Sequence, residues 1–156
     1  MRRRNLNIKY ICYSVVLIVL LICSVQDIRC KKIHVQIPIV AGFFGGVMWL
    51  VCGEKLIADL IYDCVPGVVL ILSSILSKEK IGLGDGMIVV MIGLLTEVDF
   101  TFYVVMLSFG ISVCCFGLNG LMCNIRRKYE DKMKEIAFVP CIFAAYIFVS
   151  IFKIII

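Results

Sequence analysis

Six apolar runs separated only by short charged connections leave this chain few ways to fold. Reading between charges gives Tyr10 to Gln26, Ile33 to Gly53, Leu56 to Ser77, Ile81 to Thr96, Phe100 to Ile125, and Ile136 to the end. Each is close to the ~17–25 residues that a membrane-spanning helix needs. The runs are continuous rather than alternating, and too long for the ~10-residue strands of a membrane barrel. A chain of 156 residues that is 62% hydrophobic, with a mean hydropathy of +1.07, lies far above the roughly 45–50% apolar usage of soluble domains. The expectation is an all-α, polytopic membrane protein with about six transmembrane helices in one bundle. No Ser-rich or Pro-rich linker, repeat or low-complexity tract marks a second domain, so residues 1–156 read as a single integral-membrane unit.

Arg2, Arg3 and Arg4 precede the first apolar run and resemble the basic start of a signal peptide, but "CSVQD" offers no small-x-small cleavage site. The first run is therefore expected to be a retained helix. The nine cysteines, Cys12, Cys23, Cys30, Cys52, Cys64, Cys114, Cys115, Cys123 and Cys141, contain no C-x-x-C pair. Zinc-site spacing is missing, and most of these thiols read as small polarisable hydrophobes within spans. No metal, cofactor or nucleic-acid partner is expected. The lipid bilayer is the partner that composition implies.

With six spans, the loops after spans one, three and five carry Arg29, Lys31, Lys32, Lys78, Lys80, Arg126, Arg127, Lys128, Lys132 and Lys134, ten cations in all. The other side receives Arg2, Arg3, Arg4, Lys9, Lys55 and Lys153, which is six. The positive-inside rule assigns the first set to the cytoplasm. The run "RRKYEDKMKE", Arg126 to Glu135, then reads as a solvated cytoplasmic loop near anionic lipid.

Intramembrane acids are costly and usually functional, which makes the "GLGDG" at Gly82 to Gly86 informative. Asp27 sits where span one leaves the membrane and Asp85 where span four enters it, so by parity the two carboxylates share a face. From Gly86 to Thr96 only 11 residues remain, about 16 Å of helix, too short to cross ~30 Å of hydrocarbon. The helix is therefore expected to begin near Ile81, with Asp85 about a turn inside. Gly82, Gly84 and Gly86 leave room for another backbone to lie against it. Gly93, deeper in the span, reads as an ordinary packing position.

Two carboxylates on one face, one of them half-buried among glycines, suit aspartic proteolysis. One activates a water as base while the other, protonated, polarises the scissile carbonyl, and close like charges favour sharing a single proton. The glycines would give an extended peptide access to the pair.

These residues resemble a known family. "GLGDG" before an apolar run is similar to the GxGD signature of intramembrane aspartic proteases. "DIRCKKI" closing span one resembles the first-aspartate segment of type IV prepilin peptidases, and "KEIAFVPCIFAAYIF" resembles the opening of that family's last helix. The resemblance implies a membrane enzyme that removes the basic leader of a prepilin or pseudopilin at the cytoplasmic face, with Asp27 and Asp85 in the catalytic positions and no cofactor. It departs from the family where His34 and Val35 replace the usual Pro-Asn after Ile33, and where Met87 replaces a frequent lysine. The loop after span one is too short for the paired C-x-x-C segment of larger members, which implies a peptidase without N-methyltransferase activity.

"IYDCVPG" offers a rival aspartate, because Tyr62 and Asp63 resemble the Tyr-Asp of presenilin-type enzymes. Parity assigns Asp63 to the opposite face from Asp85. Asp59 and Asp63 are four apart on one helix face and are expected to meet Lys55 or polar groups of the bundle. His34 reads as an interfacial residue, and Trp49 as packing or interfacial belt. A non-enzyme reading, a small transporter or channel component, requires Asp27, Asp59, Asp63 and Asp85 to line one path across the bilayer.

Overall fold

The computed structural model describes residues 2–30, 35–53, 55–76, 82–125 and 138–155. They form six helices in chain order: α1 Arg2–Cys30, α2 Gln36–Val51, α3 Ile57–Leu76, α4 Leu83–Leu95, α5 Val98–Ile125 and α6 Val139–Ile155. Among the described residues there is no strand. The expected all-helical membrane bundle is what the chain forms. Three segments are long and apolar enough to cross a bilayer, Lys9–Arg29, Ile57–Leu76 and Val98–Cys115. Segments Gln36–Val51, Leu83–Leu95 and Val139–Lys153 are apolar but shorter, because their ends are given over to turns and caps.

The turns follow local chemistry. α2 stops where Gly53 adopts φ +67°, and the Gly53 amide returns to the Leu50 carbonyl at 3.1 Å; glycine takes this left-handed conformation without steric penalty. At the head of α3 a carboxylate oxygen of Asp59 accepts the Leu56 amide at 2.9 Å, which satisfies a donor that has no partner within the helix. α6 opens on Val139 and Pro140, where proline's missing N–H costs no hydrogen bond. Pro66 lies inside α3 and removes one rung from its ladder.

α4 is the hub, packed against α1, α2, α3 and α5. Its sequence is apolar all round, as a helix enclosed by others requires, and Ile88, Val89, Met91 and Ile92 are almost fully buried. α3 runs antiparallel to it along a seam of small residues. A methyl group on Gly86 would meet an Ile71 side-chain carbon at 2.6 Å, one on Gly67 would meet Val90 at 2.4 Å, and one on Gly93 would lie 2.1 Å from the Asp63 carbonyl oxygen. Gly93 is thus a point of backbone contact between helices, not the ordinary packing position expected from sequence. On the other side of α4, Gly45 of α2 admits Leu95 at 2.5 Å in the same sense. Such close approach lets helix pairs gain van der Waals contact that lipid cannot supply.

The outer faces remain apolar. Ile57, Ile61, Val68, Leu72 and Ile75 of α3 and Phe43, Phe44 and Val51 of α2 are exposed, a surface suited to acyl chains rather than water. An aromatic cluster closes one end of the bundle. Phe100 stands edge-on to Tyr13 at 5.1 Å and to Tyr146 at 5.4 Å, and the Tyr146 hydroxyl donates to the Tyr13 carbonyl at 3.0 Å. These contacts join α1, α5 and α6.

Candidate active site

Two of the predicted site residues come together. Asp27, one turn before the end of α1, and Asp85, in the first turn of α4, are both buried, each with 9% of its surface exposed. The two carboxylates lie within electrostatic reach of each other at the same end of the bundle. α4 begins at Leu83, with Gly82 in extended conformation and the Asp85 amide returning to the Gly82 carbonyl at 3.1 Å. The helix therefore starts two residues later than the expected Ile81, and Asp85 is its third residue. An acidic side chain in a first turn is favoured by the helix dipole.

Asp27 has a less favourable place on its own helix, near the negative C-terminal end. The start of α6 offsets this: the Val139 amide donates to Asp27 Oδ2 at 3.3 Å. The first amides of a helix have no partners within it, so the α6 terminus serves as a ready anion acceptor. The same helices bury Cys23 and Ser24 one turn back on α1, Ile88 and Val89 on α4, and Val139 and Ile142 on α6.

The three glycines around Asp85 differ in their surroundings. Gly82 is exposed, and a methyl group there would sit 3.0 Å from Asp85 Oδ2. Gly84 is buried, and Gly86 is buried against Ile71. Met87, at the family departure, is half-buried on α4. His34 lies outside the described residues, as do Lys31, Lys32, Lys78, Lys80 and the loop cations from Arg126 to Lys134.

Asp63 belongs to the opposite end of α4. Its Oδ2 takes the Lys55 ammonium in a buried ion pair, its Oδ1 accepts the Val98 amide at 2.9 Å, and the same Lys55 donates to the Thr96 carbonyl. Lys55 also stands 5.2 Å from the centroid of the Trp49 ring, and Trp49 is buried. From Asp85 to Thr96 along α4 is about 16 Å, so the Tyr62–Asp63 pair does not share a site with Asp85. With Asp59 engaged at the head of α3, neither acid forms a stacked path with Asp27 and Asp85.

Sequence reading overlooked one charged cluster. Glu97, between α4 and α5, takes Lys9 of α1 on Oε1 at 2.7 Å and Lys153 of α6 on Oε2 at 2.9 Å. The parity that united Asp27 with Asp85 also places these three residues on one face, so the signal was present. Among the described residues Cys12, Cys23, Cys52, Cys64, Cys114 and Cys115 are free thiols.

Comparison with protein families matches residues 14–118 to the type IV leader peptidase family, a range that includes both Asp27 and Asp85 and runs from α1 into α5. No curated protein and no solved structure matches the chain. A match over most of the sequence, in a helical membrane bundle, makes this chain a member of the type IV leader peptidase family, a membrane protease.

Proposed function

We propose that the protein is an aspartic endopeptidase that removes the basic leader of prepilins or pseudopilins, with Asp27 and Asp85 as its catalytic pair. The observation that supports this reading is that two buried carboxylates, one on α1 and one on α4, lie within electrostatic reach of each other at one end of the bundle. Between them the pair holds one proton. The ionised carboxylate draws a proton from a water as its oxygen attacks the scissile carbonyl carbon, while the protonated partner donates to the carbonyl oxygen. A tetrahedral diol results. Its collapse breaks the C–N bond as the leaving amine takes the proton of the pair and a diol hydroxyl returns one to it, so that one shared proton remains.

In this reading all six helices cross the bilayer, and the aspartates face the cytoplasm, as the ten-to-six distribution of Lys and Arg favours. The leader's positive charges then stay in cytoplasmic water while the apolar segment behind the cleavage point enters the lipid beside the bundle. Gly82, Gly84 and Gly86 are the proposed access residues, with exposed Gly82 close beside the Asp85 carboxylate. The short connection between α1 and α2 has no room for the methyltransferase segment of larger relatives, so the new amino terminus leaves unmethylated.

The test is co-expression with candidate prepilins and measurement of leader loss by gel shift. Wild type is expected to shift the substrate, and Asp27→Asn and Asp85→Asn to leave it intact at equal membrane abundance. Leader loss that persists in both variants would overturn the assignment.

A further inference from the structure

A second site lies at the end of the bundle opposite the aspartates. A cavity of about 390 Å³ opens between α1 and α6, lined by Lys9, Tyr13, Ser14, Leu17, Ser150 and Lys153 among others. Among the described residues its lining includes two lysines and no acid. The acids nearby, Glu97 and Asp99, line a separate adjoining cavity that shares only Lys153 with this one.

The charge balance is specific. Lys9 and Lys153 both pair with the single carboxylate of Glu97, so these three residues together carry one net positive charge. Each ammonium has three donors. Lys9 uses one on Glu97, and Lys153 uses one on Glu97 and one on the Tyr13 hydroxyl at 3.1 Å. The remaining donors are half-exposed, on side chains with 49% and 46% of their surface accessible.

Depth supplies the rest. Lys9 begins the 21-residue apolar segment Lys9–Arg29, one of the three long enough to cross a bilayer, which places its ammonium at the headgroup level. Below it on α1, Leu17 borders the cavity, and Ile18, Leu21 and Ile22 continue as exposed apolar surface. The site thus joins a monocationic, donor-rich head to an apolar track leading into the membrane.

We propose that this cavity binds one anionic phospholipid, with its phosphodiester on Lys9 and Lys153 and an acyl chain along the outer face of α1. A negative phosphate suits the net positive charge of Lys9, Lys153 and Glu97 taken together, and lipid rather than free phosphate fits the apolar track. Glu97 acts as the built-in competitor, since it holds the same two ammoniums from the other side.

The test is native mass spectrometry of the detergent-purified full chain exposed to equal amounts of phosphatidylglycerol and phosphatidylcholine, with inorganic phosphate in a parallel sample. Wild type is expected to retain one phosphatidylglycerol in preference to phosphatidylcholine. Lys9→Gln and Lys153→Gln should each weaken that preference roughly fivefold, as expected for one lysine near anionic lipid. Glu97→Gln separates binding from structure: it keeps hydrogen-bonding atoms while removing the competing charge, so retention should rise. Equal retention of both lipids, displacement by inorganic phosphate at matched concentration, or a fall in Glu97→Gln would each overturn the proposal.

Discussion

Asp27 and Val139 are 112 residues apart in sequence and 3.3 Å apart in space, the carboxylate of one accepting the amide hydrogen of the other. The contact ties the end of α1 to the start of α6 and fixes one of the two aspartates. Asp27→Asn keeps an oxygen for the Val139 amide but ends proton sharing, so leader removal should fall by about 10²–10⁴-fold, the usual contribution of acid–base catalysis. Its thermal unfolding in detergent should stay close to wild type. Asp27→Ala should lose the same activity and also about 1 kcal/mol of stability with the helix tie. An active Asp27→Asn would remove Asp27 from the pair.

Gly84 and Gly93 test whether the glycines of α4 serve access or packing. Gly84→Val should sharply reduce leader removal with Asp85 still in place, because a β-branched side chain fills the approach and stiffens the helix start. Gly93→Ala is no mild control, since its methyl group would meet the Asp63 carbonyl oxygen at 2.1 Å. It should destabilise by about 1–3 kcal/mol, as overpacking does. Gly110, with open space where a side chain would go, supplies the control, and Gly110→Ala should change neither activity nor unfolding. Full activity in Gly84→Val would leave the glycines as packing residues alone.

Asp63→Asn should leave chemistry intact and stability damaged. The substitution strands the Lys55 ammonium, whose side chain is only 12% exposed, and breaking a buried pair typically costs about 3–5 kcal/mol. Replacing both partners, Lys55→Met with Asp63→Leu, should recover much of the loss. Leader removal normalised to folded protein is the deciding measurement. If Asp63→Asn is inactive per folded molecule and Asp27→Asn is active, Tyr62–Asp63 becomes the better active site.

Glu97 gives the fold a pH dependence at its other end. Hydrogen bonds from Lys9, then from Lys153, outweigh the opposing effect of burial and hold its carboxyl down at about 2, against an ordinary value of 4.5. A carboxyl lower in the folded state than in the unfolded one stabilises fully above 4.5, and the contribution is lost as pH falls toward 2. Unfolding temperature measured between pH 6 and pH 2.5 should therefore fall more steeply for wild type than for Glu97→Gln. Parallel curves would show that the two bridges contribute nothing, as is common for exposed pairs.

Much of this architecture was legible because hydropathy and parity are global constraints. Counting spans brought Asp27 to Asp85 and kept Asp63 away from both, without any knowledge of packing. Lys55 or polar groups were the partners expected for Asp59 and Asp63, and Lys55 pairs with Asp63 while Asp59 takes the Leu56 amide. Contacts decided by backbone proximity were not legible. Nothing in the sequence distinguishes Gly93, pressed on a neighbouring carbonyl, from Gly110, which faces open space. Nor does it show that a main-chain amide from α6 would meet Asp27. The start of α4 was misplaced by two residues because length alone demanded a longer helix, whereas a helix enclosed by others is freed from spanning the hydrocarbon by itself.

That freedom has a consequence for depth. α4 has 13 residues, about 20 Å of helix against ~30 Å of hydrocarbon, and its far end is pinned by Lys55 at Thr96 and by Asp63 at Val98. In the proposed six-span arrangement, with the pinned end held at one membrane face, the shortfall would fall at the Asp85 end and leave a recess there. Asp85 is levelled from the opposite leaflet, so thickening the bilayer deepens the recess rather than moving the aspartate. On the proposed function, membrane thickness would then become a ruler for the substrate, setting how far a leader must reach down before its backbone meets the carboxylates.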